Sequence, residues 1–325
     1  MAALMDELVE EVLLRFPPHK PGRLIRAALV CKRWRSIVSD PGFRRRFREF
    51  HRTPPIMGVF SNLMEGDTYI VSFEPCALCP PHADRRDLTV LDSRHGRVLL
   101  HSMPPAGRDH IINPSEPHVL VVWDPITDEQ RELLLPYLYP GMFYAAVLCA
   151  ATVTCCDHLD CNPGPFLVLI VGTDLEGIFV YVYSSEASAW SEPSSIHLGA
   201  MLSSYCMLMP SLLAGDALYF MLEDGHRILK YDLGGRAISM INPPSLHAAG
   251  KVALVTAKDG GLGVAGVHGY NLHTWSWRAG PNGTDEWVKE RVIELDTMLS
   301  ITIGDPSTKL DVHSFAEALE AVFKV

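Results

Sequence analysis

Between residues 96 and 300, short β-branched or aromatic runs recur in pairs. Residues 166–171 are followed by 178–183, 217–222 by 228–231, and 262–267 by 272–277. The second run of each pair ends on an aromatic, Tyr183, Tyr231 or Trp277, at spacings of 48 and 46 residues. Turn residues follow each time: Ser184-Ser185-Glu186, Asp232-Leu233-Gly234-Gly235 and Arg278-Ala279-Gly280. Residues 118–123 also end on an aromatic, Trp123, and lead into Asp124-Pro125; their partner run is 96–101. Runs of this length and composition, bounded by Gly, Pro, Asn and Asp, read as strands. A few strands cannot bury both faces of their own sheet. Sheets recurring every 45–50 residues must therefore stack on one another around an axis.

This pattern predicts an all-β, propeller-like domain over residues 54–325. Four units are legible between residues 96 and 300. Residues 56–95 are expected to add another, with strands near 56–60, 68–73 and 88–91. Residues 313–325 fit either a helix, with Phe315, Leu319, Val322 and Phe323 on one face, or a closing strand.

Residues 1–53 follow a different rule. At 100° per residue, Leu4, Leu8, Val9, Val12, Leu13 and Phe16 fill an arc of about 180°. Asp6, Glu7, Glu10 and Glu11 occupy most of the remainder. A helix packed once against its own core needs a stripe of about 100°. The extra width means either two apolar contacts, one of them to another protein, or deeper burial; periodicity leaves both open. Pro17, Pro18, Pro21 and Gly22 separate this helix from a second over 23–30. Val30, Trp34, Ile37 and Val38 give one face of a third, which Asp40-Pro41-Gly42 stops. Phe43, Phe47 and Phe50 share a face of a fourth. Three short helices in some forty residues bury little apolar surface and are expected to lean on a partner.

The leucine-rich opening helix with its Asp6-Glu7 pair, the Leu29-Val30-Cys31-Lys32-Arg33-Trp34-Arg35 run and the closing Asp40-Pro41-Gly42-Phe43 resemble an F-box. The whole chain is similar to grass-type F-box proteins, in which a propeller-like domain follows the F-box. The resemblance implies docking onto the Skp-type adaptor of an SCF ubiquitin ligase. It implies that Leu4, Met5, Leu8, Val12 and Leu13 face that adaptor, supported by Val30 and Trp34. The family usually places Pro after the opening Leu; Met5 stands there, apolar and adaptable but without a pre-set backbone.

Charge separates the two parts. The chain carries a net −10, yet residues 1–53 hold 12 Lys and Arg against 6 Asp and Glu, leaving 16 against 32 for the rest. So acidic a large domain is a poor binder of phosphate backbones, and no nucleic-acid partner is expected. Arg44-Arg45-Arg46 is too short a cluster to outweigh this. No signal-peptide pattern opens the chain, and the uncharged run 141–156, which contains Thr152 and Thr154, is too short to span a bilayer, so no membrane association is expected. Eight irregularly spaced cysteines read as reduced thiols of an intracellular protein, cytoplasmic, nuclear or both.

Three motifs offer chemistry and none is compelling. Gly261-Leu262-Gly263-Val264-Ala265-Gly266 spells a dinucleotide fingerprint, but that motif must open a helix and the residues after it are β-like. Cys76 and Cys79, with Cys155, Cys156, His158 and Cys161, could ligate zinc, yet only the first two have the spacing of a zinc knuckle. Trp275, Trp277 and Trp287 read as strand anchors before they read as a stacking shelf. Acidic pairs such as Asp128-Glu129 and Asp285-Glu286 sit in turns. No metal, cofactor or catalytic set is expected. The reading is a non-catalytic adaptor that brings an unknown protein substrate to a Skp–cullin complex through loops such as 104–117, 136–141, 157–165 and 280–284. A scaffold that holds the adaptor without ubiquitin transfer, and an enzyme built in a propeller pocket, are the alternatives.

Overall fold

The computed structural model describes residues 5–18, 22–51, 58–65, 68–75, 85–102, 119–125, 127–136, 143–151, 161, 164–173, 177–197, 210–222, 226–244, 252–268, 271–279, 285–295, 311–314 and 322–324. Contacts divide the chain into two compact units, Met1–Arg86 and Asp87–Val325.

The first unit opens with helices α1 (Asp6–Leu14), α2 (Gly22–Val30), α3 (Lys32–Ser39) and α4 (Pro41–His51). Their inward faces converge. Val9, Leu13, Leu14, Ala27 and Phe43 are buried, with Leu24, Trp34, Ile37, Val38 and Phe47 packed around them. Asp40 both ends α3 and caps α4. The Phe43 N–H donates to Asp40 Oδ2 at 2.9 Å, and Pro41 at the first helical position has no N–H to leave unpaired. Phe50 departs from the expected shared face: it is exposed, while Phe43 is buried and Phe47 half-buried. Phe50 stands in the last turn of α4, beyond the residues of that helix that join the core. Strands β1 (Gly58–Glu65) and β2 (Thr68–Pro75) then form a hairpin in unbroken register from Gly58↔Pro75 to Glu65↔Thr68, with β3 (Arg85–Arg86) beside β2.

The second unit is a series of antiparallel meanders, each in chain order. The first is β4 (Leu88–Arg94), β5 (Arg97–Ser102), β6 (Val119–Trp123) and β7 (Gln130–Leu134). The second is β8 (Phe143–Cys149), β9 (Phe166–Thr173) and β10 (Gly177–Ser184), whose outer edge carries β11 (Ala189–Trp190) and β12 (Ser194–His197). The third is β13 (Leu212–Ala214), β14 (Ala217–Leu222), β15 (Arg227–Asp232) and β16 (Ile238–Ile241). The fourth is β17 (Val252–Thr256), β18 (Leu262–His268), β19 (Asn271–Ala279) and β20 (Asp285–Glu294). The pair β21 (Asp311–Ser314) and β22 (Val322–Lys324) follows, with β21 against β17 and β18. The four repeat units are therefore four sheets, and each predicted pair of runs is the second and third strand of one. One expectation changes. Residues 88–91 belong to β4 and open the next sheet instead of joining the β1–β2 hairpin. Of the two readings of residues 313–325, the described residues 311–314 and 322–324 are strands; Phe315 and Leu319 lie outside the described residues.

The sheets stack face to face. Leu99, Leu120 and Val122 of the first meet Val147, Val168 and Ile170 of the second. Ala146, Leu169 and Val180 of the second meet Leu218, Phe220 and Leu229 of the third. Tyr219, Met221 and Ile228 of the third meet Leu254, Leu262 and Val264 of the fourth. All seven residues of β8 are buried, whereas β7 buries one of its five. Inner strands covered on both faces thus read as unbroken apolar runs, and outer strands do not.

The aromatics that end the third strands mark a repeated turn. Trp123 and Tyr231 are almost wholly enclosed, and Trp123 Nε1 donates to Asp128 Oδ1 at 2.9 Å. Five residues past Trp123, Tyr183 and Tyr231 stand Asp128, Ser188 and Arg236, with φ of 60°, 52° and 51°. The repeat seen as letters is thus also a repeat of backbone shape.

An innermost strand has no ladder partner on its axial edge, and here side chains fill that role. Val147 N–H donates to Asp92 Oδ2 at 2.9 Å, and Cys149 N–H to His95 Nδ1 at 3.1 Å. Arg94, 3.5 Å from Asp92 Oδ1, reaches on to donate to the Ser211 carbonyl at 2.7 Å. One buried ion pair thereby ties the first strands of the first and second sheets to the residue that precedes β13. Replacing Asp92 with Ala strands a buried guanidinium and a buried N–H at once. We expect a loss of about 3 kcal/mol or more. Asp92→Asn, which keeps an acceptor, should cost less, and urea unfolding of the two variants followed by tryptophan fluorescence checks the order.

Candidate partner-docking face

Helix α1 carries apolar residues on two sides. Val9, Leu13 and Leu14 point into the helical core, and Leu13 is completely enclosed. Met5, Leu8 and Val12, at i, i+3 and i+7, are 63%, 49% and 55% exposed. The wide arc is therefore two contacts: one filled by this chain, the other not filled by any of its described residues. Leu13 is a correction to the residue set implied by the resemblance. It packs inward, because its place on the helix lies beside Val9. Leu4 lies outside the described residues.

Helix α2 carries a second set of exposed apolar residues. Ala27 is buried and Leu24 packs against the core, which turns Ile25, Leu29 and Val30 outward at 60%, 77% and 65% exposure. Val30 was expected on this face; Ile25 and Leu29 were not singled out. Their spacing, i and i+4, was visible. However, six of the eight residues from Arg23 to Val30 are apolar, and so full a helix does not say which side faces out. Trp34 is half-buried. With Phe16, Arg23, Arg26, Ala27 and Val30 it lines an open groove of 410 Å³.

Charges hold the helices in this arrangement. Asp6 pairs with Arg33 of α3 and Glu10 with Arg46 of α4. Glu11 lies 3.1 Å from Arg15, and Glu49 lies 3.7 Å from Arg45. These pairs are exposed and each contributes little. Their effect is to fix the acidic flank of α1 against its neighbours, which leaves its apolar flank as the open one.

The remaining candidates resolve differently. Gly261 to Gly266 span a turn and the first part of β18, and strand β19 follows, not a helix. Gly263 is needed for close packing, since a Cβ there would sit 3.0 Å from the Val255 carbonyl and 3.1 Å from that of Trp275. Trp277 and Trp287 pack against each other at 4.9 Å and against the core between the third and fourth sheets, as anchors would. Cys76, Cys79, Cys155, Cys156 and His158 lie outside the described residues. Cys161 is buried, and its carbonyl accepts a hydrogen bond from Arg97 Nη2 at 3.1 Å. Burial pushes the Arg97 pKa below the usual arginine range, while Cys149, Cys161 and Asp124 favour its charged form. Among the described residues no group of three or more His, Cys, Asp or Glu is placed to hold a metal ion, and no helix is long and apolar enough to cross a membrane.

A short helical unit with an open apolar face, followed by stacked four-stranded sheets, defines an F-box protein with a propeller domain. The F-box domain family model matches residues 4–46, and the model described as F-box protein AT5G49610-like, beta-propeller matches residues 89–323. The chain belongs to this plant-type family of F-box propeller proteins. No curated protein matches it. Among solved structures it is similar to Hsv2 of Kluyveromyces lactis at 8% identity and a TM-score of 0.40, over 75% of each chain. It is also similar to the dihydro-heme d1 dehydrogenase NirN at 10% identity and 0.35, over 71% of this chain and 47% of that one. The GH43 protein BlXynB of Bacillus licheniformis gives 10% and 0.31, over 69% and 44%. Likeness this low carries no argument about function.

Inward and outward residues of α1 should respond oppositely to truncation. Leu13→Ala is expected to cost about 2–5 kcal/mol of helical-unit stability by leaving a cavity. Val12→Ala should cost less than about 0.5 kcal/mol. Thermal unfolding of the full chain, followed at 222 nm, checks this.

Proposed function

We propose that this chain is the substrate-recognition subunit of an SCF-type ubiquitin ligase. Its F-box docks onto a Skp-type adaptor, which joins it to a cullin, and its propeller binds a protein target in the cytoplasm or nucleus. The observation that carries the reading is the outward row Met5, Leu8 and Val12, set on a helix whose other side is already full. A hydrophobic row left open beside a satisfied core is what a helix-packed interface requires, with a few large anchors supplying most of the affinity. Met5 fits this use: a flexible thioether adapts to the surface that covers it.

The work of such a subunit is geometric and needs no reaction from its own residues. Holding a target lysine near a charged ubiquitin carrier turns a bimolecular encounter into an effectively intramolecular one. The candidate target segments 104–117 and 280–284, and most of 136–141 and 157–165, lie outside the described residues.

Leu8→Asp should place an unpaired carboxylate in the docking contact. We expect adaptor affinity to fall on the order of 100-fold or more, with circular dichroism of the free chain unchanged. Retained binding would remove the F-box docking reading. Ubiquitin transfer to a captured target in a reconstituted reaction separates a ligase subunit from a scaffold.

A further inference from the structure

We propose that the groove beside Arg23 and Arg26 receives an acidic segment of the Skp-type adaptor. One apolar side chain of that segment sits on Ala27, Val30 and Trp34, and carboxylates pair with the two guanidinium groups. The inference rests on the adaptor reading above and adds to it the chemistry of the partner's contact.

The groove's shape states half of the requirement. Its floor is apolar: Ala27 is buried, and Phe16 and Trp34 are half-buried in the helical core. The groove is open to solvent, with a volume of 410 Å³.

Charge states the other half. Within residues 1–53 basic groups outnumber acidic ones two to one. The described carboxylates here are almost all engaged: Asp6 by Arg33, Glu10 by Arg46, Glu11 by Arg15, Glu49 by Arg45, and Asp40 by the Phe43 N–H. Arg23 and Arg26 lie at the groove and are exposed, and among the described residues no carboxylate stands within ion-pair distance of either. An arginine presents a planar fork that takes carboxylates in paired hydrogen bonds. Two such forks bordering an apolar floor select a segment that is both acidic and hydrophobic. A nucleic-acid backbone would use the arginines and leave the floor uncovered, and a neutral helix would use the floor and leave the arginines unpaired.

The test titrates a purified Skp-type adaptor into the full-length chain at about 50 and 300 mM salt, on either side of physiological screening. The wild-type chain should bind more weakly at the higher salt. R23E/R26E should bind at least about 10-fold more weakly at low salt and lose most of the salt dependence. In R26K, a zero-length carbodiimide should join the introduced amine to an adaptor carboxylate, as an amide located by mass spectrometry. This measurement stands even if the double charge reversal disturbs folding. R23E/R26E binding within twofold of wild type, or R26K giving no cross-link while wild type and R26K bind, would overturn the groove assignment and leave the adaptor reading standing. Wild type failing to bind, or Leu8→Asp binding as well as wild type, would overturn the adaptor reading and this inference with it.

Discussion

Everything in the second unit follows from sheets that are apolar on both faces. A four-stranded meander such as β8 to β11 can satisfy its backbone internally but not its side chains. Ala145 and Val147 face the first sheet, and Ala146 and Leu148 face the third. Neither set can be hidden without a neighbouring sheet on that side. The result is a run of interfaces in which each sheet is the lid of the one before. Burial accordingly grades from inner to outer strand more steeply than from one sheet to the next.

The same geometry creates a polar difficulty at the innermost strands. A ladder satisfies one edge of β8, and the opposite edge leaves N–H groups with no strand to receive them. Asp92 of β4 and His95 in the turn after it do so, and His95 reaches its position with a left-handed φ of 53°. Arg94 then neutralises Asp92, and the same Nη2 that faces Asp92 donates to the Ser211 carbonyl two sheets away. Apolar packing alone would let the sheets slide, whereas directional bonds at the inner edge set their register. A buried pair of this kind owes its value to placement more than to net energy.

Much of this was legible in the chain and some was not, for physical reasons. Trp123, Tyr183 and Tyr231 were legible because each stands at the end of a third strand above a turn that repeats in backbone shape as well as in sequence. The second and third strands were found because they are long, buried and paired by a short reach along the chain. First strands were harder. Residues 88–91 looked like a partner for 68–73, since adjacency in sequence is the only distance a sequence offers. The α1 arc announced two contacts, yet it could not say that Leu13 belongs to the inner one, because Leu13 and Val12 differ by one step around the helix. Ile25 and Leu29 were hidden by excess: where nearly every position is apolar, the direction of the core has to come from the neighbouring helices.

The helical unit and the sheets reach stability by different routes. The sheets bury their apolar faces within the chain, whereas the helices leave Met5, Leu8, Val12, Ile25, Leu29 and Val30 in water around a core of five fully buried side chains. So small a core yields little surplus over conformational entropy. Anything that covers the open face adds its binding energy to folding, about 2.7 kcal/mol when present at a hundred times its dissociation constant. For a unit this size that is a large share of the total. Burying the six outward residues in the unit's own core would make it more robust and remove its means of docking. The exposed row is therefore apolar surface that the described residues of the unit do not cover, and a protein docked on it would add its binding energy to the order of these helices.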